Sequence, residues 1–303
     1  MSDILTSSAA SARPVAVVGL GIMGGAIAAN LVRAGHVVRG FDLDPERIAS
    51  APGAGVAVAA SAADCAAGCA VVLTSLPSDV ALDSTVDALV AGRARIGADT
   101  TIVELSTLSI EAKTRAQARL AAAGLAMLDC PISGTGAQAV AGDLVLYASG
   151  EESAARRSEP VLRAFSRAVH YVGAFGNGMR LKLVANLLVA VHNVATAEAL
   201  ALAKRAGLDP VQACELLGSG AGSSRILQLR GPMMATGVFE PATMKLDVWQ
   251  KDLDLIEAMA TAVDASTPLF DATRPLYAAA LRAGLGRQDT AAVFRVIDGT
   301  LPE

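Results

Sequence analysis

No run of basic residues occurs anywhere in this sequence, and its formal net charge is −4. A nucleic-acid footprint needs a cationic patch, so nucleic acids and other polyanions are excluded as expected partners. Cysteine is sparse as well. Cys65, Cys69, Cys130 and Cys214 are the only four in 303 residues, which makes no disulfide framework in a chain of this length. Cys65 and Cys69 stand one helical turn apart, but no nearby Cys–His group completes a zinc site, so they read as small buried hydrophobes. The three histidines, His36, His170 and His192, are scattered and read as structural. The opening MSDILTSSAASARP has no basic stretch followed by an apolar core, so it is not expected to be a secretory signal. Residues 1–13 are expected to form a disordered tail, and the expected location is cytoplasmic. Aromatic residues make up only 3% of a chain that is 53% hydrophobic, and much of the apolar share is alanine. That composition favours closely packed helices and can bury a sizeable core. The length suits one large domain or two moderate ones.

What is present begins at Val15-Ala-Val-Val18, a short β-branched run followed at once by Gly19-Leu20-Gly21-Ile22-Met23-Gly24. Helical periodicity then runs from Ile22 to about Arg33, and a second strand, Val37 to Phe41, ends in Asp42. Strand, glycine turn, helix, strand and acid follow in the order that dinucleotide binding requires, with Asp42 placed 23 residues after Gly19. Gly19 permits the tight turn, Gly21 lets backbone approach a pyrophosphate, and Gly24 lets the helix pack close to the strand. Free N–H groups at the helix start attract the anion. Asp42 is placed to accept hydrogen bonds from ribose hydroxyls and to repel a 2′-phosphate. NAD is therefore the expected cofactor, with NADP kept open by Arg39 and Arg47 nearby.

The alternation continues through strands expected at 69–75, 101–105, 125–129, 144–149 and 168–172. Helices are expected at 61–69, 79–90, 110–123 and 154–165, with Ser109 as a cap. Repeated βα units point to a parallel sheet with helices on both faces. After Gly173 only helices are expected, over 179–206, 210–217, 224–235, 242–263, 268–282 and 288–298. The division is thus a dinucleotide-binding domain over 14–175 and a helical domain over 176–303.

The long stretch from Gly176 to Ala206 holds Lys182, Asn186 and Asn193 on one face of an otherwise apolar helix. Within it, 181–203 is long enough to span a bilayer, but Lys182, Asn186, His192, Asn193 and Glu198 interrupt it, so a buried helix is expected and no membrane partner. Taken alone, Lys182 reads equally as a side chain reaching solvent over an apolar stem. Three strand ends offer it company: Leu76-Pro77, Ser106-Thr107 and Ser133-Gly134-Thr135. Strand ends in such sheets face the ligand crevice, though Ser, Thr and Pro are also common in ordinary loops. The SGTG at 133–136 exposes backbone N–H groups beside a hydroxyl, which suits a carboxylate or merely a tight turn. A dehydrogenase acting on an alcohol needs a group to take the hydroxyl proton, and a partly buried lysine can serve. Asn186, one turn on, can fix the lysine or the substrate hydroxyl.

Four motifs in order, GLGIMGGAIAANL at 19–31, DCPISGTGAQAVAG at 129–142, GNGMRLKLVAN at 176–186 and KDLDL at 251–255, resemble the β-hydroxyacid dehydrogenase family. That group contains 3-hydroxyisobutyrate dehydrogenase and tartronate semialdehyde reductase. The resemblance implies a Rossmann-type α/β N-terminal domain and an all-α C-terminal domain joined by a long interdomain helix, assembled as a homodimer or homotetramer. It implies Lys182 as catalytic acid/base with Asn186 beside it, and Ser133, Gly134 and Thr135 on the substrate carboxylate. Leu76, Pro77 and Thr107 would contact the cofactor along with the 19–24 loop, and Lys251 would close over it. The chain departs from the common pattern at Thr135, Leu187, Met244 and Arg225, which touches the choice of substrate more than the chemistry.

The expected activity is NAD(P)-dependent interconversion of a small 3-hydroxy acid and its semialdehyde or keto acid. Alternatives are a threonate-type sugar-acid dehydrogenase, a tartronate semialdehyde reductase, and a nucleotide-binding regulator without catalysis.

Overall fold

The structure, a computed structural model, describes residues 13–301. Strands and helices alternate as β1 (Val15–Val18), α1 (Ile22–Arg33), β2 (Val38–Phe41), α2 (Pro45–Ser50), β3 (Ala57–Val58), α3 (Ala62–Ala66), β4 (Val71–Thr74), α4 (Asp79–Ala91), β5 (Thr101–Glu104), α5 (Ile110–Ala122) and β6 (Ala126–Asp129). All six strands are parallel, in the spatial order β3-β2-β1-β4-β5-β6. The order reverses between β1 and β4, which opens a crevice at their carboxyl ends.

Period-two alternation on these strands feeds two cores. Val15 and Val17 of β1 pack with Ile27, Leu31, Leu73 and Val103, while Ala16 and Val18 pack with Leu82, Leu89, Ile102 and Leu120. Both faces are therefore covered, which is why β1 and β4 read as near-continuous apolar runs. Serine caps start the helices where the sequence places them. Ser78 accepts the Ala81 N–H (3.2 Å) and Ser109 the Ala112 N–H (3.1 Å), each worth ~1 kcal/mol.

Two expectations need correction here. The strands at 144–149 and 168–172 do not extend the parallel sheet. A separate three-stranded sheet forms from β7 (Ile132–Ser133), β8 (Leu144–Ala148) and β9 (Ser166–Tyr171), with α6 (Gly136–Ala141) and α7 (Glu152–Arg163) between them. β7 pairs antiparallel with β8, since a parallel crossover needs about a dozen or more residues and the link from Ser133 to Leu144 is shorter. Arg13, assigned to the tail, instead donates to the carbonyls of Gly68 and Cys69 and pairs with Asp99. The rest of the expected tail lies outside the described residues.

Then come α8 (Asn177–Arg205), α9 (Pro210–Ser219), α10 (Arg225–Thr236), α11 (Leu246–Ala262), α12 (Pro268–Arg282) and α13 (Val293–Asp298). Beyond an isolated bridge between Lys245 and Asp289, no described residue after Tyr171 is in a strand. The expected helix over 242–263 starts late, at Leu246. Asp289 takes the N–H groups of Thr243 (2.8 Å) and Met244 (3.1 Å), holding that stretch out of the helix. By packing, the chain divides into two units inside α8, after Lys182. The first turn of α8 is bonded to the sheet unit, and the rest belongs to the helical unit. By length and composition α8 could cross a bilayer, yet Leu183, Ala190, Asn193, Val194, Ala197 and Leu200 are buried within the protein.

Candidate active site

The glycine loop closes β1 onto α1 with no room to spare. A Cβ on Gly19, whose φ is +90°, would stand 2.1 Å from the Ser75 carbonyl oxygen, and one on Gly24 would stand 1.8 Å from that of Gly19. Gly21 is the N-cap of α1 and offers no side chain to its first turn, so the N–H groups there are left for an anion. At the end of β2, the Asp42 carboxylate takes the N–H of Leu20 (2.6 Å) and of Asp44 (2.9 Å), with Arg47 at 3.5 Å. Burial works against its charge, but these N–H groups and Arg47 outweigh it and hold the carboxyl below the usual aspartate value. Arg39 donates to the Ala67 carbonyl (2.6 Å), while Arg47 lies over Gly21. An open helix start beside a fixed carboxylate fits a dinucleotide.

The other strand ends gather in the same unit. Leu76, just past β4, gives its N–H to Ser106 Oγ (2.7 Å), so the Leu76-Pro77 and Ser106-Thr107 turns are bonded side by side. α6 lies on α1. Asn30 reaches the Ala139 carbonyl (2.6 Å), and a Cβ on Gly136 would meet Ile22 Cγ2 at 2.8 Å. This brings the Ser133–Gly136 loop against the glycine loop. Thr135 is occupied locally, since it caps α6 and exchanges hydrogen bonds with Gln138 in a capping box. Ser133 and Gly134 are the half-buried members of the trio that the box does not engage.

α8 starts on a buried cluster that the sequence did not disclose. Lys113, wholly buried, stands 2.6 Å from Glu104 and donates to Asp129 Oδ1 (2.8 Å). Burial opposes its charge, yet the two carboxylates outweigh that and raise its pKa above the ordinary lysine value. Asp129 Oδ2 accepts the Met179 N–H (2.8 Å) and the Ser149 hydroxyl (3.1 Å), and Ser149 Oγ accepts the Gly178 N–H (3.0 Å). Lys182, half-buried, follows one turn later.

In the helical unit, Asn186 donates to Asp252 Oδ2 (2.9 Å), both being buried. A carboxylate only accepts, so this bond turns the Asn186 amide NH2 toward Asp252 and leaves its Oδ1 facing away. Asp252 is a residue that sequence reasoning passed over, although it stands in the KDLDL motif beside Lys251, which is half-buried near the start of α11. Asn193 does not join the polar face expected for it. It is fully buried and tied to the Tyr277 hydroxyl (3.0 Å) and the Thr290 carbonyl (2.9 Å). The four cysteines are free and buried, and burial pushes the Cys65 thiol up to about 12. A surface cavity of about 440 Å³, lined by Leu125, Ala126, Glu151 and Arg157 among others, opens at the amino end of β6 and not at the strand ends where ligands bind.

A doubly wound sheet with this loop and acid, followed by a helical unit, defines a dinucleotide-binding protein. Residues 14–173 match the family model described as the NAD binding domain of 6-phosphogluconate dehydrogenase. Residues 176–297 match that described as NAD-binding of NADP-dependent 3-hydroxyisobutyrate dehydrogenase. The chain belongs to the β-hydroxyacid dehydrogenase family, of the 3-hydroxyisobutyrate dehydrogenase type, and is an NAD(P)-dependent dehydrogenase acting on hydroxy acids. Among its relatives, a Pseudomonas aeruginosa 3-hydroxyisobutyrate dehydrogenase is 35% identical over 87% of this chain and 90% of its own. A Pectobacterium atrosepticum L-threonate dehydrogenase is 34% identical over 95% and 96%. The solved Mycobacterium tuberculosis 3-hydroxyisobutyrate dehydrogenase with L-serine superposes with a TM-score of 0.86 at 31% identity, covering 94% of this chain and 99% of that one.

Proposed function

We propose that the substrate is a small 3-hydroxy carboxylic acid, 3-hydroxyisobutyrate first among them, with Lys182 as general acid/base. One observation carries this reading. Lys182 stands one turn from a helix start bonded to Asp129, the strand end that leads into Ser133 and Gly134. In oxidation, neutral Lys182 Nζ takes the substrate hydroxyl proton as the carbinol hydrogen leaves with its electron pair, and the C–O bond becomes a carbonyl. Bound NAD(P) supplies the hydride acceptor. Ser133 and Gly134 hold the carboxylate, with Thr135 shaping the loop through its cap on α6. Asn186 offers Oδ1 as an acceptor to the hydroxyl or to the Lys182 ammonium. The Gly19–Gly24 loop holds the pyrophosphate, Asp42 the ribose, and Leu76, Pro77, Thr107 and Lys251 the remainder of the cofactor. Asp42 favours NAD over NADP.

A second reading, a four-carbon sugar acid such as threonate, is favoured by the L-threonate dehydrogenase relative above. The same machinery serves it. Assembly as a homodimer or homotetramer is supported by exposed apolar residues along α8, and a cytoplasmic location by the metabolic role of the relatives.

Reduced-cofactor absorbance across 3-hydroxyisobutyrate, D- and L-glycerate, threonate and 3-hydroxypropionate, each with NAD and NADP, is the test. One acid is expected to exceed the rest by at least tenfold in kcat/KM. No turnover with any of them would overturn the substrate class. Lys182→Ala is expected to abolish turnover while NAD still binds; near-normal kcat in that variant would refute its role.

A further inference from the structure

We propose that Asp129, seated by Lys113 and assisted by Ser149, is a positioning residue for Lys182: it sets the register of α8 against the Ser133 loop. The inference rests on the reading of Lys182 as proton acceptor and goes beyond it.

Asp129 stands at a junction. It ends β6, and four residues later the same strand end becomes Ser133. Its fully buried carboxylate is divided among three partners, Oδ1 to the Lys113 ammonium and Oδ2 to the Met179 N–H and the Ser149 hydroxyl. Ser149 completes the seat. Its backbone exchanges N–H···O bonds with that of Asp129 (2.7 and 3.0 Å), and its hydroxyl takes the next free N–H of α8, that of Gly178. Gly178 itself admits no displacement toward a larger residue, since a Cβ there would lie 2.3 Å from the Tyr147 carbonyl oxygen and 2.9 Å from that of Asp129. The first turn of α8 is thus fixed both along its axis and in rotation. From Met179 to Lys182 is three residues, about 4.5 Å of rigid helix, so a shift at the seat arrives undiminished at the Lys182 Cα, from which its side chain starts.

Stability alone does not account for the arrangement. Two carboxylates and one ammonium are removed wholly from water, and apolar replacements of such clusters are often as stable or more so. What the cluster supplies that an apolar patch cannot is direction. One ammonium leaves the two carboxylates with a net negative charge, and at Asp129 Oδ2 that charge meets the Met179 N–H of the α8 start, where the helix dipole favours it. The Met179 and Gly178 N–H groups have one geometry in which both Asp129 and Ser149 are satisfied.

The test measures Asp129→Asn and Ser149→Ala beside Lys182→Ala. In Asp129→Asn the new NH2 group must face either the Lys113 ammonium or the Met179 N–H, donor against donor. Ser149→Ala removes the acceptor for Gly178 and the hydroxyl donor to Asp129 but keeps the backbone pairing of the two residues, so it remains informative if the first variant fails to fold. With Lys182→Ala inactive, kcat is expected to fall on the order of 100-fold in Asp129→Asn and about tenfold in Ser149→Ala. KM for the hydroxy acid and the Kd for NAD should change less than about threefold, and the ascending limb of the kcat–pH profile should move as the surroundings of Lys182 change. If Lys182→Ala is inactive but the folded variants keep kcat within twofold and an unmoved pH profile, whatever their melting temperature, the positioning role is overturned and Lys182 stands. If Lys182→Ala turns over normally, both readings fall together.

Discussion

In the proposed function Asp42 is the residue that discriminates between the two cofactors, by where its charge is held. Two backbone N–H groups and Arg47 keep the carboxylate ionised at the end of β2, and Arg39, the other nearby cation, is engaged with the Ala67 carbonyl. A 2′-phosphate brought to that carboxylate meets like charge. Asp42→Ala is therefore expected to lower kcat/KM with NAD and raise it with NADP, shifting the ratio at least tenfold, or about 1.4 kcal/mol. Steady-state kinetics with both cofactors checks this, and an unchanged ratio would move the discrimination elsewhere, with Arg47 next in line. Asp42 was legible in the sequence because its place is set by spacing from the glycine loop. Asp252 and Lys113 were not. A carboxylate in a helix, or a lysine in one, reads as solvated until the fold shows which polar group it meets. Asn193 misled for the related reason that helical periodicity assigns a face without saying what covers it.

At the scale of elements, the glycine-turn unit and the helix starts were readable because each is decided locally, by φ, by steric closeness or by a cap within three residues. The small sheet and the late start of α11 were not, because both are decided by distant partners. β7 is two residues long and takes its direction from β8, and residues 243–245 take theirs from Asp289. Asp289 is fully buried, paired with Arg230 at 3.0 Å, and accepts from Thr243, Met244 and Ala291. Burial raises its pKa, but Arg230 and those donors outweigh that and leave it below 3.8. A depressed carboxyl stabilises the fold above its unfolded pKa and loses that contribution as pH falls through its folded value. Asp289→Asn, which leaves Arg230 buried without its counter-charge, is expected to cost roughly 3–5 kcal/mol at neutral pH. The deficit relative to the unaltered protein should shrink as pH falls below 3.8 toward the depressed folded value. Denaturant melts at several pH values measure it. A deficit under about 1 kcal/mol at pH 7, or one that grows on acidification, would show that Asp289 does not organise this region.

For the molecule as a whole, the part of α8 in the helical unit does two unlike things. One side is buried through Leu183, Ala190, Asn193, Val194, Ala197 and Leu200. The other presents Val184, Leu188 and Leu202 at 49%, 50% and 70% exposure, with Val191 and Ala195 at the intervening steps. Spacings of four, three, four and seven residues, with the exposed Glu198 at the step before Leu202, make a seam at about 3.5 residues, the period at which helices pair along their length. A chain with net charge −4 has little general affinity for itself, so association must come from such a local apolar face. The proposed homodimer or homotetramer would cover this seam. Leu188→Lys places a charge at its middle without touching the buried side, and the cost of burying that charge unpaired exceeds what one leucine contributes. Light scattering on the unaltered protein is expected to give a multiple of the chain mass. The Leu188→Lys variant is expected to dissociate to smaller species at low micromolar concentration, with its helical circular dichroism intact. A monomeric parent, or a variant with undiminished mass, would place the contact between subunits on some surface other than α8.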